Sequence, residues 1–174
     1  MKIKFLFLLG TLLLLAAGVL CFYFFRDNPH RQIRRTLNEL CEIVSKGSGE
    51  NPAVSGLKAN RADKVFAPKC EIKIGRHLFD GIYTPTVLGA NIMRFKFTFK
   101  WIKISYSDLE FAINHKEDGT PSAAKIFFTG QCTGVLKNAP QEKIDEIRDV
   151  EAVVINTEKG WRITHLVINK ILQK

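Results

Sequence analysis

Hydrophobic and polar residues alternate along most of the C-terminal half of the chain, as they do in half-buried β-strands. Four runs show this pattern: 101–114, 123–136, 147–155 and 161–172. The first two flank a turn that contains Asp118-Gly119, and the last two flank Thr157-Glu158-Lys159-Gly160. Glycine at these positions supplies the positive φ that short hairpin loops need. The pattern therefore predicts two β-hairpins, which together contain four long antiparallel strands.

In the N-terminal half, apolar residues recur at helical spacing instead. Asn28-Pro29 is typical of a helix start, and the apolar residues that follow predict a helix of about 17 residues that ends before Gly47. A second helix is predicted to begin at Asn51-Pro52 and to end at Pro68. A short strand, 70–74, follows.

The stretch 85–101 fits two structures. Basic and aromatic residues alternate through 94–101 as in a strand, whereas the apolar residues after Pro85 also fall at helical spacing. We predict a helix over 85–97. A basic and aromatic stripe stacks nucleic-acid bases in some proteins. We favour aromatic residues packed in the core, with lysines that extend to solvent.

The first residues of the chain predict a membrane anchor. Residues 5–25 carry no charge, and a helix of that length spans about 30 Å of hydrocarbon. A cleaved signal peptide is the alternative, with Ala16-Ala17-Gly18 as the cleavage site, but the apolar run continues beyond the usual length of such a segment. We predict an uncleaved anchor, 1–26, and an exported domain, 27–174. The protein would then be a single-pass cell membrane protein with its C-terminal domain on the periplasmic or extracellular side.

Composition and charge are those of one folded domain with an appendage. Of the 174 residues, 46% are hydrophobic, and the net charge is +9. Because the basic residues are spread along the chain without a polybasic tract, we predict no nucleic-acid partner.

The order of the predicted elements resembles that of a known superfamily. Two helices, a short strand, a helix and four strands end in Glu151-Ala152-Val153-Val154, a turn with Lys159-Gly160-Trp161, and the strand Arg162-Ile163-Thr164-His165. This order is similar to that of the NTF2-like superfamily (SnoaL-like, cystatin-like α+β cone) from about residue 29 to residue 172. The resemblance implies an α+β fold in which N-terminal helices pack on a curved antiparallel sheet and enclose a pocket. The superfamily includes enzymes, such as ketosteroid isomerase and scytalone dehydratase, as well as binding and assembly modules. The VirB8-like components of bacterial secretion systems share its layout of one N-terminal span and an exported domain.

The last strand carries the first candidates for the pocket. By alternation Trp161, Ile163 and His165 share its apolar face. His165 would act there as a general base, with Glu151 as the carboxylate that orients it. If Asn156 and Trp161 close the loop, His165 lies opposite Ala152, and Glu151 points to the other face. We therefore prefer a histidine of the core or the pocket rim to a catalytic one.

Other polar candidates are Tyr83 and Gln131, with His77 and Asp80 in a loop before Tyr83. The histidines are scattered and the cysteines have no CxxC spacing, so we predict no metal site and no cofactor. Cys41, Cys70 and Cys132 of the exported domain allow at most one disulfide.

Two functions of different classes follow. The first is a membrane-tethered, non-catalytic module that binds a partner protein or a small apolar ligand in the cone and pairs with a second copy through the open sheet face. The alternative is a small-molecule lyase or isomerase that uses His165 as general base. In either case, the chain would also bind the membrane, through residues 5–25.

Overall fold

The computed structural model describes residues 28–75 and 80–170. Four helices are present in this part of the chain: α1 (Pro29–Val44), α2 (Pro52–Ala59), α3 (Ala62–Val65) and α4 (Pro85–Thr98). Its six strands are β1 (Phe66–Ile74), β2 (Gly81–Tyr83), β3 (Phe99–His115), β4 (Pro121–Leu136), β5 (Lys143–Thr157) and β6 (Gly160–Lys170). None of these helices is long and apolar enough to cross a membrane. The predicted anchor, 1–26, and the candidate His77 lie outside the described residues.

The three longer helices begin with the same device, a proline preceded by a capping side chain. Asn28 Oδ1 accepts a hydrogen bond from the backbone N–H of His30 at 3.0 Å, and Asn51 Oδ1 accepts one from Ala53 at 2.8 Å. The hydroxyl of Thr84 caps α4 in the same way. The predicted helix starts are therefore confirmed. The ambiguous stretch is divided at Phe99, where α4 ends and β3 begins.

The strands form one sheet in the order β2-β1-β6-β5-β4-β3. The two predicted hairpins, β3–β4 and β5–β6, are present, and the α+β fold with a curved sheet is confirmed. The sheet is not wholly antiparallel as predicted, because β1 runs parallel to β6. A parallel pair needs a long crossover between its strands. Here the chain between the two strands includes α4 and the three long strands β3, β4 and β5.

One face of the sheet, here called the concave face, carries the helices. Ile33 and Leu37 of α1 are fully buried, as are Ile126 and Val154 of the sheet. The hydroxyl of Thr36 donates a hydrogen bond to the carbonyl of Trp161 at 3.2 Å, which fixes α1 over β6. On the opposite face, here called the outer face, side chains are half-buried or exposed, including Phe127 and Ile147.

A buried ion cluster holds α4 against the loop after α1. Lys96 is 1% exposed; its ammonium donates a hydrogen bond to the carbonyl of Ile43 at 3.2 Å and lies 3.3 Å from Glu50. Glu50 also accepts hydrogen bonds from Lys58 at 2.6 Å and Ser55 at 2.5 Å. Burial lowers the pKa of Lys96. Burial alone would raise the pKa of Glu50, but the hydrogen bonds from Lys58, Ser55, the backbone of Gly47 and Lys96 together outweigh it and hold this pKa at about 2.

This cluster corrects the prediction for the basic and aromatic stripe. Lys96 was expected to extend to solvent and the aromatic residues to pack inward, yet Lys96 is buried while Phe95 and Phe97 are each 42% exposed. Glu50 provides the counter-charge for the buried ammonium of Lys96. Only Phe99, at the start of β3, enters the core.

Candidate functional site

The part of the cone beneath α1 is filled by side chains. Trp161 is 2% exposed and Ile163 is fully buried, and both pack in one cluster with Ile33 and Leu37 of α1. Two of the predicted pocket residues are therefore core residues. A ligand would reach them only if the core opened.

A β-bulge in β6 decides where His165 points. Val154 lies opposite Ile163, whereas the preceding residue, Val153, lies opposite His165. Thr164 is the extra residue, and its hydroxyl donates a hydrogen bond to the carbonyl of Val153 at 3.1 Å. A bulge of one residue reverses the alternation of the strand that carries it. Burial follows this change, because Ile163 and Leu166 face the core while His165 is exposed.

The prediction that His165 shares a face with Trp161 and Ile163 is therefore wrong, and so is its predicted register opposite Ala152. His165 Nε2 lies 3.2 Å from Glu71 on the outer face, and its Nδ1 lies 3.0 Å from Thr164 Oγ1. Glu151 is not its partner and pairs instead with Lys125 at 2.7 Å. With half of the His165 side chain exposed, this pair has the character of a surface ion pair.

The two remaining candidates lie on different faces. Gln131 lies opposite Ser105 and Ile147 on the outer face, where its amide donates a hydrogen bond to Asp145 at 2.9 Å. Tyr83 lies opposite the fully buried Cys70 and packs half-buried against the core cluster. Of the five candidates, only Tyr83 combines an inward position with partial exposure.

A second group of inward-facing residues lies where α1 passes over β3 and β4. Leu40, Tyr106 and Phe128 pack against the core and keep part of their surface exposed. The Tyr106 hydroxyl donates a hydrogen bond to Asn38 Oδ1 at 2.8 Å, and its ring lies edge-on to Phe128 with centroids 5.9 Å apart. Burial raises the pKa of Tyr106, so its phenol stays protonated at neutral pH. We call Leu40, Tyr106 and Phe128 the apolar rim.

Charged groups continue this surface along the concave face. Arg148 lies opposite Gly130, which itself lies opposite Tyr106, so all three share a face. Arg148 pairs with Glu146, two residues earlier on the same strand and the same face. Directly opposite Glu146 is Cys132. The rim is thus bordered by a guanidinium, a carboxylate and a thiol.

Sequence reasoning missed the apolar rim. The signal was present, because Ile102, Ile104 and Tyr106 alternate along one face of a strand whose partner has Gly130 and Phe128 on the same side. Recognising it required knowing which face of that strand α1 covers. The contact between Asn38 and Tyr106 provides that information only in the folded chain.

The three thiols have the properties of buried apolar groups. Cys41, Cys70 and Cys132 are free. Burial raises the pKa of Cys41 to about 11 and that of Cys70 to about 12, and it raises the pKa of Cys132 as well. A thiol with a raised pKa is a poor nucleophile and a poor metal ligand at neutral pH. No cluster of metal-binding side chains occurs among residues 28–75 and 80–170.

Comparison with solved structures identifies the fold as NTF2-like. A protein from Kribbella flavida, Kfla4162, has a TM-score of 0.63 at 12% identity, over 84% of this chain and 93% of that protein. An NTF2-like superfamily protein from Salmonella enterica serovar Typhimurium has a TM-score of 0.59 at 16% identity, over 83% and 92% of the two chains. A hexachlorocyclohexane dehydrochlorinase, LinA type 2, has a TM-score of 0.58 at 10% identity, over 80% and 82%. The predicted fold is confirmed from this similarity of structure.

No protein-family model matches the chain. No curated protein matches it either.

Proposed function

We propose that this protein is a membrane-tethered, non-catalytic binding module whose apolar rim receives a small apolar ligand or an apolar side chain of a partner protein. The observation that carries this proposal is the partial exposure of Leu40, Tyr106 and Phe128 beside a closed core. Ligand sites in proteins are concave and mostly apolar, with a few polar groups that orient the ligand. Asn38 and Arg148 are the polar groups at this rim.

The chemistry of the rim supports binding more than catalysis. General acid–base catalysis needs a group that exchanges protons near neutral pH and reaches the bound substrate. The phenol of Tyr106 and the neighbouring thiols stay protonated, while the carboxylate of Glu146 pairs with Arg148. His165, the general base of the enzymatic alternative, lies on the outer face.

The enzymatic alternative draws support from the fold, since one protein of similar structure is named a dehydrochlorinase. Similarity of fold does not carry over an activity, because the same fold supports unrelated functions. An enzyme built on this chain would use Tyr106, Glu146 and Arg148 in place of His165. Loss of turnover in Tyr106→Phe without loss of binding would identify that alternative.

Two adjacent phenylalanines give a direct test of the rim. Phe128 faces the concave side and Phe127 faces outward, because neighbouring residues of a strand point to opposite faces. We expect a photo-cross-linking phenylalanine analogue at position 128 of the full-length protein, irradiated in cells, to capture a small molecule or a partner protein. Mass spectrometry of the adduct distinguishes the two.

The same analogue at position 127 is the matched control. It should give a different product or none, because it points away from the rim. Identical adducts at both positions, or no adduct at position 128, would contradict the proposal.

The tether is proposed from residues 5–25, whose length and lack of charge suit one membrane span. We place the domain on the exported side of the cell membrane. A reporter that works only in the exported compartment should be active when it is fused after Lys174. A fusion of a reporter that works only in the cytoplasm should be silent, and full activity of that fusion would refute the orientation.

A further inference from the structure

A groove lies away from the apolar rim, where the chain after α1 meets the start of β3. It is open to solvent, has a volume of about 560 Å³ and is lined by Ser45, Lys46, Gly47, Ser48, Lys100, Trp101, Ile102 and Lys103. Lys46 and Ile102 exchange two backbone hydrogen bonds, at 2.7 and 3.0 Å. The backbone of Ile104 donates a third to the hydroxyl of Ser45 at 2.9 Å. These bonds fix the two walls relative to each other before any ligand binds.

The lining is basic, since three of its eight residues are lysines and none is acidic. Lys100 and Lys103 are exposed, and in the part of the chain that the structure describes neither forms an ion pair. The ammonium of Lys46 turns inward and donates hydrogen bonds to the carbonyls of Phe99 and Lys96, at 2.7 and 3.3 Å. It therefore adds positive charge to the floor of the groove without occupying the opening.

Carboxylates near this groove are few. The sequence contains no Asp or Glu from residue 81 to residue 107. Glu50, the carboxylate of the buried cluster, is already shared by Lys58 and Lys96. Burial lowers the pKa of Lys46, the charge of Lys137 lowers it further, and the charge of Glu50 raises it. An anion in the groove would balance the charges of the three lysines that line it.

Trp101 adds an apolar surface beside the two exposed lysines. A bulge between Phe99 and Trp101 makes Lys100 an extra residue of the strand, and bulges change the direction of side chains. Trp101 and Lys103 share a face because they are two residues apart. The ring of Trp101 is half-buried. The groove thus combines exposed ammonium donors with a flat aromatic face.

We propose that this groove binds a phosphate monoester, with the phosphate at Lys100 and Lys103 and the organic part against Trp101. Ammonium groups form short, charge-assisted hydrogen bonds with phosphate oxygens. A flat apolar substituent gains by burial against the indole. The site is separate from the apolar rim and does not depend on the function proposed for it.

The position of the groove favours a soluble phosphate ester over a lipid headgroup. The groove lies beyond the C-terminal end of α1, whereas the proposed tether joins its N-terminal end. Sixteen helical residues separate these ends, which is about 24 Å of helix. Along the chain, the groove is therefore at the end of α1 that is more distant from the proposed tether.

Fluorine NMR of the full-length protein tests the proposal. With 5-fluorotryptophan incorporated and the protein held in an uncharged detergent, Trp101 and Trp161 each give one resonance. We expect phenyl phosphate to shift the Trp101 resonance saturably and to leave that of the buried Trp161 unchanged. Binding should weaken as salt is added, because salt screens exposed charges. Inorganic phosphate should compete with phenyl phosphate.

The variant Lys100→Gln/Lys103→Gln should weaken binding at least about tenfold, since it removes both charge-assisted contacts. The matched control is Lys116→Gln/Lys159→Gln, which removes the same charge from two exposed turn residues and should change binding little. The Trp161 resonance reports whether each variant is folded.

Four results would overturn the proposal: no shift of the Trp101 resonance, equal weakening by both double variants, equal binding of phenol and phenyl phosphate, or a response to lipid alone. The last is tested in vesicles of phosphatidylcholine with and without about 30% phosphatidylglycerol, a content at which anionic headgroups attract basic residues. A Trp101 shift that requires phosphatidylglycerol and that phenyl phosphate does not reverse would assign the groove to a membrane surface.

Discussion

At the scale of single residues, Glu50 is the carboxylate of the buried ion cluster. Its carboxylate connects α2, through Ser55 and Lys58, with α4, through Lys96. Lys96 is almost inaccessible to solvent. Removing one partner of a buried ion pair leaves an uncompensated charge, which costs about 3–5 kcal/mol.

We therefore expect Glu50→Gln to lower the free energy of unfolding by about 3–5 kcal/mol at neutral pH. The pKa of Glu50 is about 2 in the folded protein, below its ordinary value of 4.5. A carboxyl group with a lowered folded pKa stabilises the fold above its unfolded pKa, and this contribution is lost as pH falls toward the folded pKa. The difference between wild type and Glu50→Gln should therefore shrink between pH 4.5 and pH 2.

Chemical denaturation at several pH values measures this difference. Glu117→Gln is the control, because Glu117 is exposed in the β3–β4 turn. A difference between wild type and Glu50→Gln that stays constant down to pH 2 would show that Glu50 is not a buried, ionised partner of Lys96.

Trp161 has a comparable role in the apolar core. It is 2% exposed and packs under α1, so Trp161→Ala should cost about 3–5 kcal/mol by creating a cavity. Phe97→Ala, at a residue that is 42% exposed, should cost about 1 kcal/mol or less. Thermal unfolding of the two variants gives the comparison, and similar midpoints would place Trp161 at the surface.

At the scale of secondary-structure elements, the bulge at Thr164 shows what alternation cannot predict. The hairpin, its turn and the pairing of Asn156 with Trp161 all follow from the sequence and are confirmed. The bulge does not follow, because no glycine or proline marks it, and threonine is common in regular strands. Four residues after Gly160, the extra residue Thr164 moves His165 to the outer face. The candidate site was mispredicted at this position.

The two elements α2 and α4 approach each other closely at a glycine. A Cβ at position 89 of α4 would lie 2.8 Å from the carbonyl oxygen of Ala59, which belongs to backbone and cannot turn away. We expect Gly89→Ala to destabilise the protein by about 1–3 kcal/mol, because overpacking outweighs the better helix propensity of alanine.

The matched control is Gly56→Ala in α2. The nearest atom to its new Cβ would be the terminal methyl of Met93 at 3.7 Å, an ordinary contact. That variant should be stabilised by about 0.5–1 kcal/mol, the usual gain of alanine over glycine within a helix. If both variants were stabilised in urea denaturation, the close approach of α2 and α4 would be wrong.

At the scale of the whole molecule, the sheet exposes a face that the described helices leave uncovered. Phe127 is 38% exposed there and Ile147 is 48% exposed, and Lys125 and Glu151 pair beside Phe127. A face with apolar residues and both signs of charge is able to pair with itself about a two-fold axis. We expect this face to join two copies of the chain.

Phe127→Asp should then shift the protein from dimer to monomer in sedimentation of the detergent-solubilised chain. Phe97→Asp is the control, since Phe97 is similarly exposed but lies outside this face. Monomeric wild-type protein, or equal loss of dimer in both variants, would rule out the outer face as the dimer interface.

Most of the architecture was predictable because it depends on local signals. Capping residues with prolines mark three helix starts, and glycines mark the two hairpin turns. The pairing of β1 with β6 has no local signal, since it joins the first strand of the domain to the last. The strand β2 is only three residues long and has no alternating pattern that would predict it.

The parallel pair of β1 and β6 also determines when the complete sheet is able to form. Ile72 lies opposite Leu166, so β1 has no long neighbouring strand until β6 has been synthesised. Contacts between distant residues form late because closing the long loop between them costs entropy. A nascent chain that ends before β6 therefore exposes one edge of β1. Such a chain has its sheet divided in two, because β6 is the strand that joins β1 and β2 to β5.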